Sequence, residues 1–199
     1  MTATELVFGS APALEQEASL DDGDLIARLA DRNTQAVAEA YDQHHAAVRA
    51  FAKRLLGDAS SAEDLVHEVF VALPSAVQRF RGQSSLRTFL IGIAVQHAKH
   101  HVRSATRRRA AMARLEREPQ GSVLDPEAAA RRRELSQALT RALDTLPLEQ
   151  RVAFVLCEVE ERSSPDAAEI VGVPEGTLRT RLFHAKRKLR ERLAKEGFQ

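Results

Sequence analysis

Little in this chain could lock a fold covalently or through large aromatic rings. Among 199 residues there is one cysteine, no tryptophan and one tyrosine, and aromatics make up 5%. One cysteine excludes a disulfide scaffold and fits a reducing compartment. Cys157 follows Val155 and Leu156 in an apolar stretch, so a buried inert thiol is expected rather than a redox sensor. So few aromatics argue against a β-sandwich. No run of about 18 apolar residues exists, which excludes a membrane-spanning helix and so membrane insertion. Residues 1–24 hold no Lys, no Arg and no long apolar core, which excludes a secretory signal. There is almost no net charge: 29 Lys and Arg stand against 28 Asp and Glu, a formal +1. Global charge therefore names no partner. What is plentiful is Ala, Leu, Arg and Glu, the residues that favour helices. The expectation is a cytoplasmic all-α protein of one or two domains.

The near-zero net charge hides segregation along the chain. Residues 1–24 carry six carboxylates and no base, a net −6. Residues 103–117 carry six arginines against Glu116, a net +5. Residues 179–195 carry eight bases against Glu191, a net +7. Two basic clusters suit two contacts with a polyanion. Solvated helix faces would account for the same pattern.

Helical periodicity organises the first hundred residues. Asp24 can cap a short helix ending near Asp31. Asn33 or Thr34 starts a longer one with Val37, Ala40, Tyr41, Val48, Phe51, Leu55 and Leu56 as its stripe, and Gly57 stops it. Ser60 or Ser61 opens a third, with Leu65, Val66, Val69, Phe70, Leu73, Val77 and Phe80 inward, and Pro74 should kink or break it. After the loop Arg81 to Ser85, Ser85 caps a fourth helix over about 86–104. There Leu86, Phe89, Leu90, Ile93 and Ala94 share a face with His97. Thr88, Gly92, Gln96, Lys99 and Arg103 line the other side. That polar, basic stripe suits a phosphate backbone, or simply solvent.

From Ser104 to Asp125 the pattern fails, which reads as a linker. Asp125-Pro126 starts a helix that runs to about Asp144. Pro147 starts another, with Val152, Val155, Leu156 and Val159 on one side, and Ser164-Pro165 a short third. After Gly172 comes a last basic helix. Its apolar stripe is Leu178, Leu182, Ala185, Leu189 and Leu193, and Thr177, Thr180, Arg181, His184, Arg187 and Lys188 face away. A short helix, a Gly turn and a basic helix form a helix-turn-helix pattern, which presents donors to a major groove. A plain bundle helix with a charged exterior would share these features. Phe183 borders the exposed face, and packing on a neighbouring helix is expected ahead of contact with a thymine methyl.

Chemistry is sparse. There is no Gly-rich phosphate loop, no nucleophile triad and no pair of catalytic carboxylates, so no catalytic residue, no cofactor and no enzymatic activity is assigned. His97, His100 and His101 have a spacing that could hold a metal. No Cys or carboxylate lies beside them in sequence, so no metal is assigned and packing or phosphate contact is expected.

Four segments carry a family resemblance: AEDLVHEVFVAL, RFRGQSSLRTFLIGIA, ALDTLPLEQRVAFVL and AEIVGVPEGTLRTRLFHAKRKLRERL. In this order and with this gap they resemble conserved regions two and four of the extracytoplasmic-function (ECF) group of bacterial RNA polymerase sigma factors, over about residues 20–195. The resemblance implies an alternative sigma factor. It would have an acidic tail at 1–23, a four-helix region 2 domain at 24–104, a basic flexible linker at 105–125 and a region 4 helix-turn-helix domain at 126–199. Asp64, His67 and Glu68 would contact the clamp of core RNA polymerase. The loop holding Gln83, Ser84 and Ser85 would capture a flipped −10 base, with Thr88, Gln96, Lys99, His100 and Arg103 beside it. Thr177, Arg179, Thr180, Arg181, His184 and Arg187 would read the −35 element. Promoter DNA and core polymerase are the implied partners, and an anti-sigma factor is expected. The alternative is a stand-alone helix-turn-helix repressor or activator, which would not need the motifs at 62–90.

The implied roles fit elementary chemistry. Unstacked bases need small hydrogen-bonding groups in a loop and a basic surface beside it. Two promoter elements about 17 base pairs apart lie roughly 58 Å apart, and 21 extended residues reach about 70 Å. Three departures from the family pattern stand out. Phe89 stands where a Trp is usual, and Val95-Gln96 where Arg-Asn is common, so an altered −10 specificity is expected. Ser164-Pro165-Asp166-Ala167-Ala168 replaces a bulkier Ser-Tyr-Glu-Glu-Ile pattern, which is expected to loosen the helix-turn-helix.

Overall fold

The structure, a computed structural model, describes residues 22–82, 84–112 and 126–198, without the side chains of residues 103–104, 106–112, 126–130 and 132–133. The expected acidic tail at 1–23 lies almost wholly outside the described residues, as do residues 113–125 of the expected linker. All regular structure among the described residues is helical. The chain divides into two compact units, with the main division between Ala105 and Thr106.

The first unit is built from α1 (Asp22–Ala30), α2 (Thr34–Leu56), α3 (Ala59–Ala76), a 3₁₀ turn (Val77–Arg79) and α4 (Leu86–Met112) as far as Ala105. Asn33 caps α2, its side chain accepting from the N–H groups of Gln35 at 2.8 Å and Ala36 at 3.3 Å. Gly57 closes α2 in the left-handed conformation at φ 66°, where a side chain would be strained. The cap of α3 is Asp58, accepting from the Ser61 N–H at 2.8 Å, not Ser60 or Ser61 as the sequence suggests. Asp24 lies inside α1 and pairs with Arg28 at 2.7 Å rather than capping it. The helix α3 runs through Pro74 to Ala76, and the tightening comes only in the 3₁₀ turn that follows. Leu25 and Leu29 of α1, Val48, Phe51 and Leu55 of α2, Leu65, Val69 and Leu73 of α3, and Leu90 and Ala94 of α4 are all buried. Each lies on its own i, i+3, i+4 stripe, which is why amphipathic helices close into one core.

Contrary to the expected end near Ser104, α4 continues to Met112. The apolar stripe does fade there, but Ala and Arg are strong helix formers and carry the backbone on. Helical residues advance about 1.5 Å each rather than about 3.3 Å, so the extended reach of 105–125 falls by about 14 Å.

The second unit holds α5 (Pro126–Asp144), α6 (Leu148–Phe154) running into a π turn (Val155–Val159), α7 (Ser164–Val171) and α8 (Glu175–Lys195). The Pro147 carbonyl accepts from the N–H groups of Gln150 and Arg151 at 3.0 Å, starting α6. In the π turn the Glu160 N–H reaches back to the Val155 carbonyl at 2.9 Å. Arg151 is almost fully buried at 1% exposure. Its Nη2 donates to the Leu143 carbonyl at 2.5 Å and to Asp144 at 2.9 Å, tying the end of α5 to α6. Cys157 is half-buried, and burial, helped by Glu158, pushes its thiol pKa up.

Ser163 Oγ accepts from the Asp166 N–H at 3.3 Å at the start of α7. Gly172 at φ 70° makes the turn, and Pro174 leads into α8. Ala167 and Ala168, which stand where the family pattern has Glu and Ile, are buried. Leu178, Ala185 and Leu189 form the buried stripe of α8, and Leu182 and Leu193 are half-buried.

Candidate nucleic-acid interface

The loop from Arg81 to Ser85 is closed at its base by two rings. Phe80 precedes it and Phe89 lies one turn into α4, and they meet edge to face with centroids 4.9 Å apart. Gly82 turns the loop at φ 68°, a conformation L side chains avoid. Ser85 caps α4, its Oγ accepting from the Thr88 N–H at 3.2 Å and donating to Thr88 Oγ1 at 3.0 Å. Two of the hydroxyls expected to meet DNA therefore also hold the helix end. Ser84 is half-buried, and Gln83 lies outside the described residues. Gln96, Lys99 and His100 are exposed along α4. Arg103 follows in the same helix, its side chain outside the description.

On α3, Asp64, His67 and Glu68 are exposed on one stripe. Val71 continues it at 66% exposure, a residue the sequence reading missed although it stands four places from His67. Glu68 does not point freely into solvent. His97 Nδ1 lies 3.3 Å and His101 Nε2 3.1 Å from the same oxygen, Oε2. Burial alone would raise the Glu68 pKa, but the His101 and His97 imidazoles beside Oε2 outweigh it and lower the value. The helix thus brings to these histidines the carboxylate that sequence neighbours do not supply. His100 faces away and is exposed, so the three histidines do not converge, and among the described residues no His, Cys, Asp and Glu cluster could hold a metal.

On α8, Thr177, Arg179, Thr180 and Arg187 are exposed, with Arg181 and His184 half-buried among them. Their charges are not equally free. Arg179 pairs with Glu175 at 2.5 Å, Lys186 with Glu158 at 3.0 Å, Arg187 loosely with Glu191 at 3.9 Å and Arg192 with Glu196 at 3.2 Å. Arg181, Lys188, Arg190 and Lys195 have no ion pair among the described residues. The Thr180 hydroxyl donates to the Gly176 carbonyl at 2.9 Å. Phe183 is not packed on a neighbouring helix as expected. It is 62% exposed, and its ring meets that of His184 edge to face at 5.6 Å.

Comparison with known proteins gives this arrangement its context. The Sigma-70 region 2 family matches residues 40–108, and the Sigma-70 region 4 family matches residues 136–189. The RNA polymerase sigma-H factor of Pseudomonas aeruginosa is 31% identical over 150 residues, covering 67% of this chain and 73% of that protein. The ECF RNA polymerase sigma factor SigC of Mycobacterium tuberculosis is 34% identical over 131 residues, covering 66% of this chain and 69% of that one. Among solved structures, CnrH in complex with the cytosolic domain of CnrY has a TM-score of 0.56 at 21% identity, covering 87% of this chain and 97% of that one, a likeness of fold. The sigma factor RpoE from Bartonella quintana, solved with the anti-sigma factor NepR, has a TM-score of 0.53 at 26% identity, covering 78% and 95%. With both matches in the expected order, an all-helical architecture and a helix-turn-helix carrying exposed cations, the chain belongs to the ECF group of bacterial RNA polymerase sigma factors.

Proposed function

We propose that the protein acts as an alternative sigma factor, itself without enzymatic activity and working in the cytoplasm. It binds core RNA polymerase, reads the −35 element through α8 and opens the −10 element through the loop at 81–85 and the exposed face of α4. The observation that carries this reading is the joint presence of the two matched regions, each with its own exposed polar surface: a repressor working through α8 alone has no use for the first unit. No helix among the described residues is long and apolar enough to cross a membrane.

Within α8 the ion pairs support a ranking. A guanidinium held by a neighbouring carboxylate must give up that partner before it can take a guanine O6/N7 edge, whereas Arg181 has no ion pair among the described residues to break. A bidentate contact of this kind is worth about 1–3 kcal/mol. Exposed Phe183 is free to meet a thymine methyl. In the first unit, Asp64, His67 and Glu68 serve as the polymerase contact, and Ser84, Ser85, Thr88, Gln96, Lys99, His100 and Arg103 as the −10 contact. The pairing of the Bartonella relative with an anti-sigma factor supports a similar partner here.

Run-off transcription with bacterial core polymerase, on the promoter upstream of the protein's own gene, tests the reading. Initiation is expected only with the protein present and is expected to fall on Arg181→Ala. Promoter duplex bound tightly by the protein alone, with no initiation, would replace it with a stand-alone repressor.

A further inference from the structure

The pairing of Glu68 with two histidines is an arrangement that the general role of a sigma factor does not require. Both imidazoles come from α4 and both approach one oxygen of a carboxylate on α3. We propose that His97 and His101 are positioning residues for polymerase binding: they hold Glu68 by Oε2 and leave Oε1 to a donor on the polymerase. This rests on the reading of α3 as the polymerase-facing helix.

The geometry separates the two ends of the carboxylate. Among the described residues Oε1 has no hydrogen-bond partner, while Oε2 accepts from His97 at 3.3 Å and has His101 Nε2 3.1 Å away, off good hydrogen-bond alignment. The His101 side chain is 10% exposed, that of His97 37% and that of Glu68 48%. One imidazole is therefore part of the core, one is at its edge, and the carboxylate stands at the surface with a single oxygen anchored. A neutral imidazole with its N–H toward Oε2 suffices for this, so the contact persists when the histidines are uncharged.

The energetic consequence follows from conformational entropy. A glutamate on an exposed helix face samples several rotamers, and freezing it in an interface costs side-chain entropy. The fold has already borne that ordering here. The neighbouring Glu63 is engaged by Arg49, so Glu68 and Asp64 are the carboxylates left to face a partner, with Val71 beside them. This combination fits a polymerase surface of basic and apolar side chains. The anchor also ties α3 to α4, the helix that carries Gln96, Lys99 and His100.

The test uses the full chain and bacterial core polymerase, titrated at one fixed pH above the histidine range. His97→Ala with His101→Ala is expected to weaken core binding by about 3- to 10-fold. His97→Asn with His101→Gln, which keeps a nitrogen near each original position, is expected to recover most of the loss. Glu68→Ala is expected to weaken binding at least as much, and adding the histidine changes to it is expected to cost nothing more. If the double alanine variant loses its helical circular dichroism, His97→Ala alone, at the more exposed imidazole, is compared in the same cycle. Wild-type affinity in the histidine variants beside a weakened Glu68→Ala would overturn the positioning role, and so would simple additivity. Wild-type affinity in Glu68→Ala would instead remove α3 from the polymerase interface.

Discussion

Phe80 and Phe89 meet edge to face across the base of the loop that carries Gly82, Ser84 and Ser85. One ring leaves the 3₁₀ turn and the other enters α4, so the two ends of the loop are pinned to each other before any DNA is met. Such a pair contributes about 0.5–1.5 kcal/mol beyond the area it covers. Phe80→Ala is expected to lower stability by about 2–3 kcal/mol in urea denaturation. It is also expected to reduce promoter opening, read as permanganate reactivity of −10 thymines, more than it reduces binding to a −35 duplex. Equal losses in both would mean that the pair supports the unit as a whole and not the loop.

The unequal freedom of the cations on α8 leads to a second expectation. Arg181→Ala should weaken −35 duplex binding by about 10-fold and relax preference at one base pair. Arg179→Ala also releases Glu175 and should cost distinctly less, since an exposed guanidinium already facing a carboxylate offers less net charge to DNA. Electrophoretic mobility shifts on a set of single-base −35 variants compare them. The reverse ranking would show that the Glu175 pair opens freely on DNA.

Arg151 and Asp144 form an ion pair whose side chains are 1% and 15% exposed. Replacing Arg151 by Met keeps the volume but removes the buried donor to the Leu143 carbonyl and the Asp144 carboxylate, so a loss of about 2–4 kcal/mol is expected. Removing Arg141, half-exposed in its pair with Glu196, should cost far less, because Glu196 keeps Arg192 and water takes over the rest. Chemical denaturation of Arg151→Met and Arg141→Ala gives the comparison, and similar midpoints would contradict the assigned burial of Arg151.

Stability should also depend on pH through His44. Burial lowers its pKa below the ordinary 6.5, with Asp22 pulling up and Arg87 pushing down. The unfolded chain therefore binds the proton first on acidification. The stability is whole above about 6.5 and is lost progressively as pH falls toward the lower folded value. Glu68, whose folded pKa is also lowered, loses its contribution only further down, below its ordinary 4.5. His44→Gln should flatten the first of these slopes in denaturation midpoints taken between pH 7 and about pH 5. An unchanged slope would assign that titration to other histidines.

Much of the fold was legible because its signals are local. The caps at Asn33 and Ser85, the stops at Gly57 and Gly172, and the starts at Pro126 and Pro147 each act within a turn of backbone. The inward stripes follow from a period that one helix sets for itself. The extension of α4 to Met112 is not legible in the apolar stripe, which ends first, while Ala and Arg propensity keeps the backbone helical beyond it. The sequence does not single out Asp58 because Asp58, Ser60 and Ser61 all qualify as caps, and only the backbone conformation selects one.

By itself the sequence determined the helical class, the two-part organisation and the family, since all of these rest on periodicity, turn residues and contiguous motifs. The tertiary structure decided which side chains are free to act. Glu68 and His97 are 29 residues apart, and Arg151 meets Asp144 only across a helix junction. The register in which two helices pack determines such meetings, and no single helix's period encodes that register. The same holds for Phe183, whose exposure depends on what its neighbours leave uncovered rather than on its own apolar character.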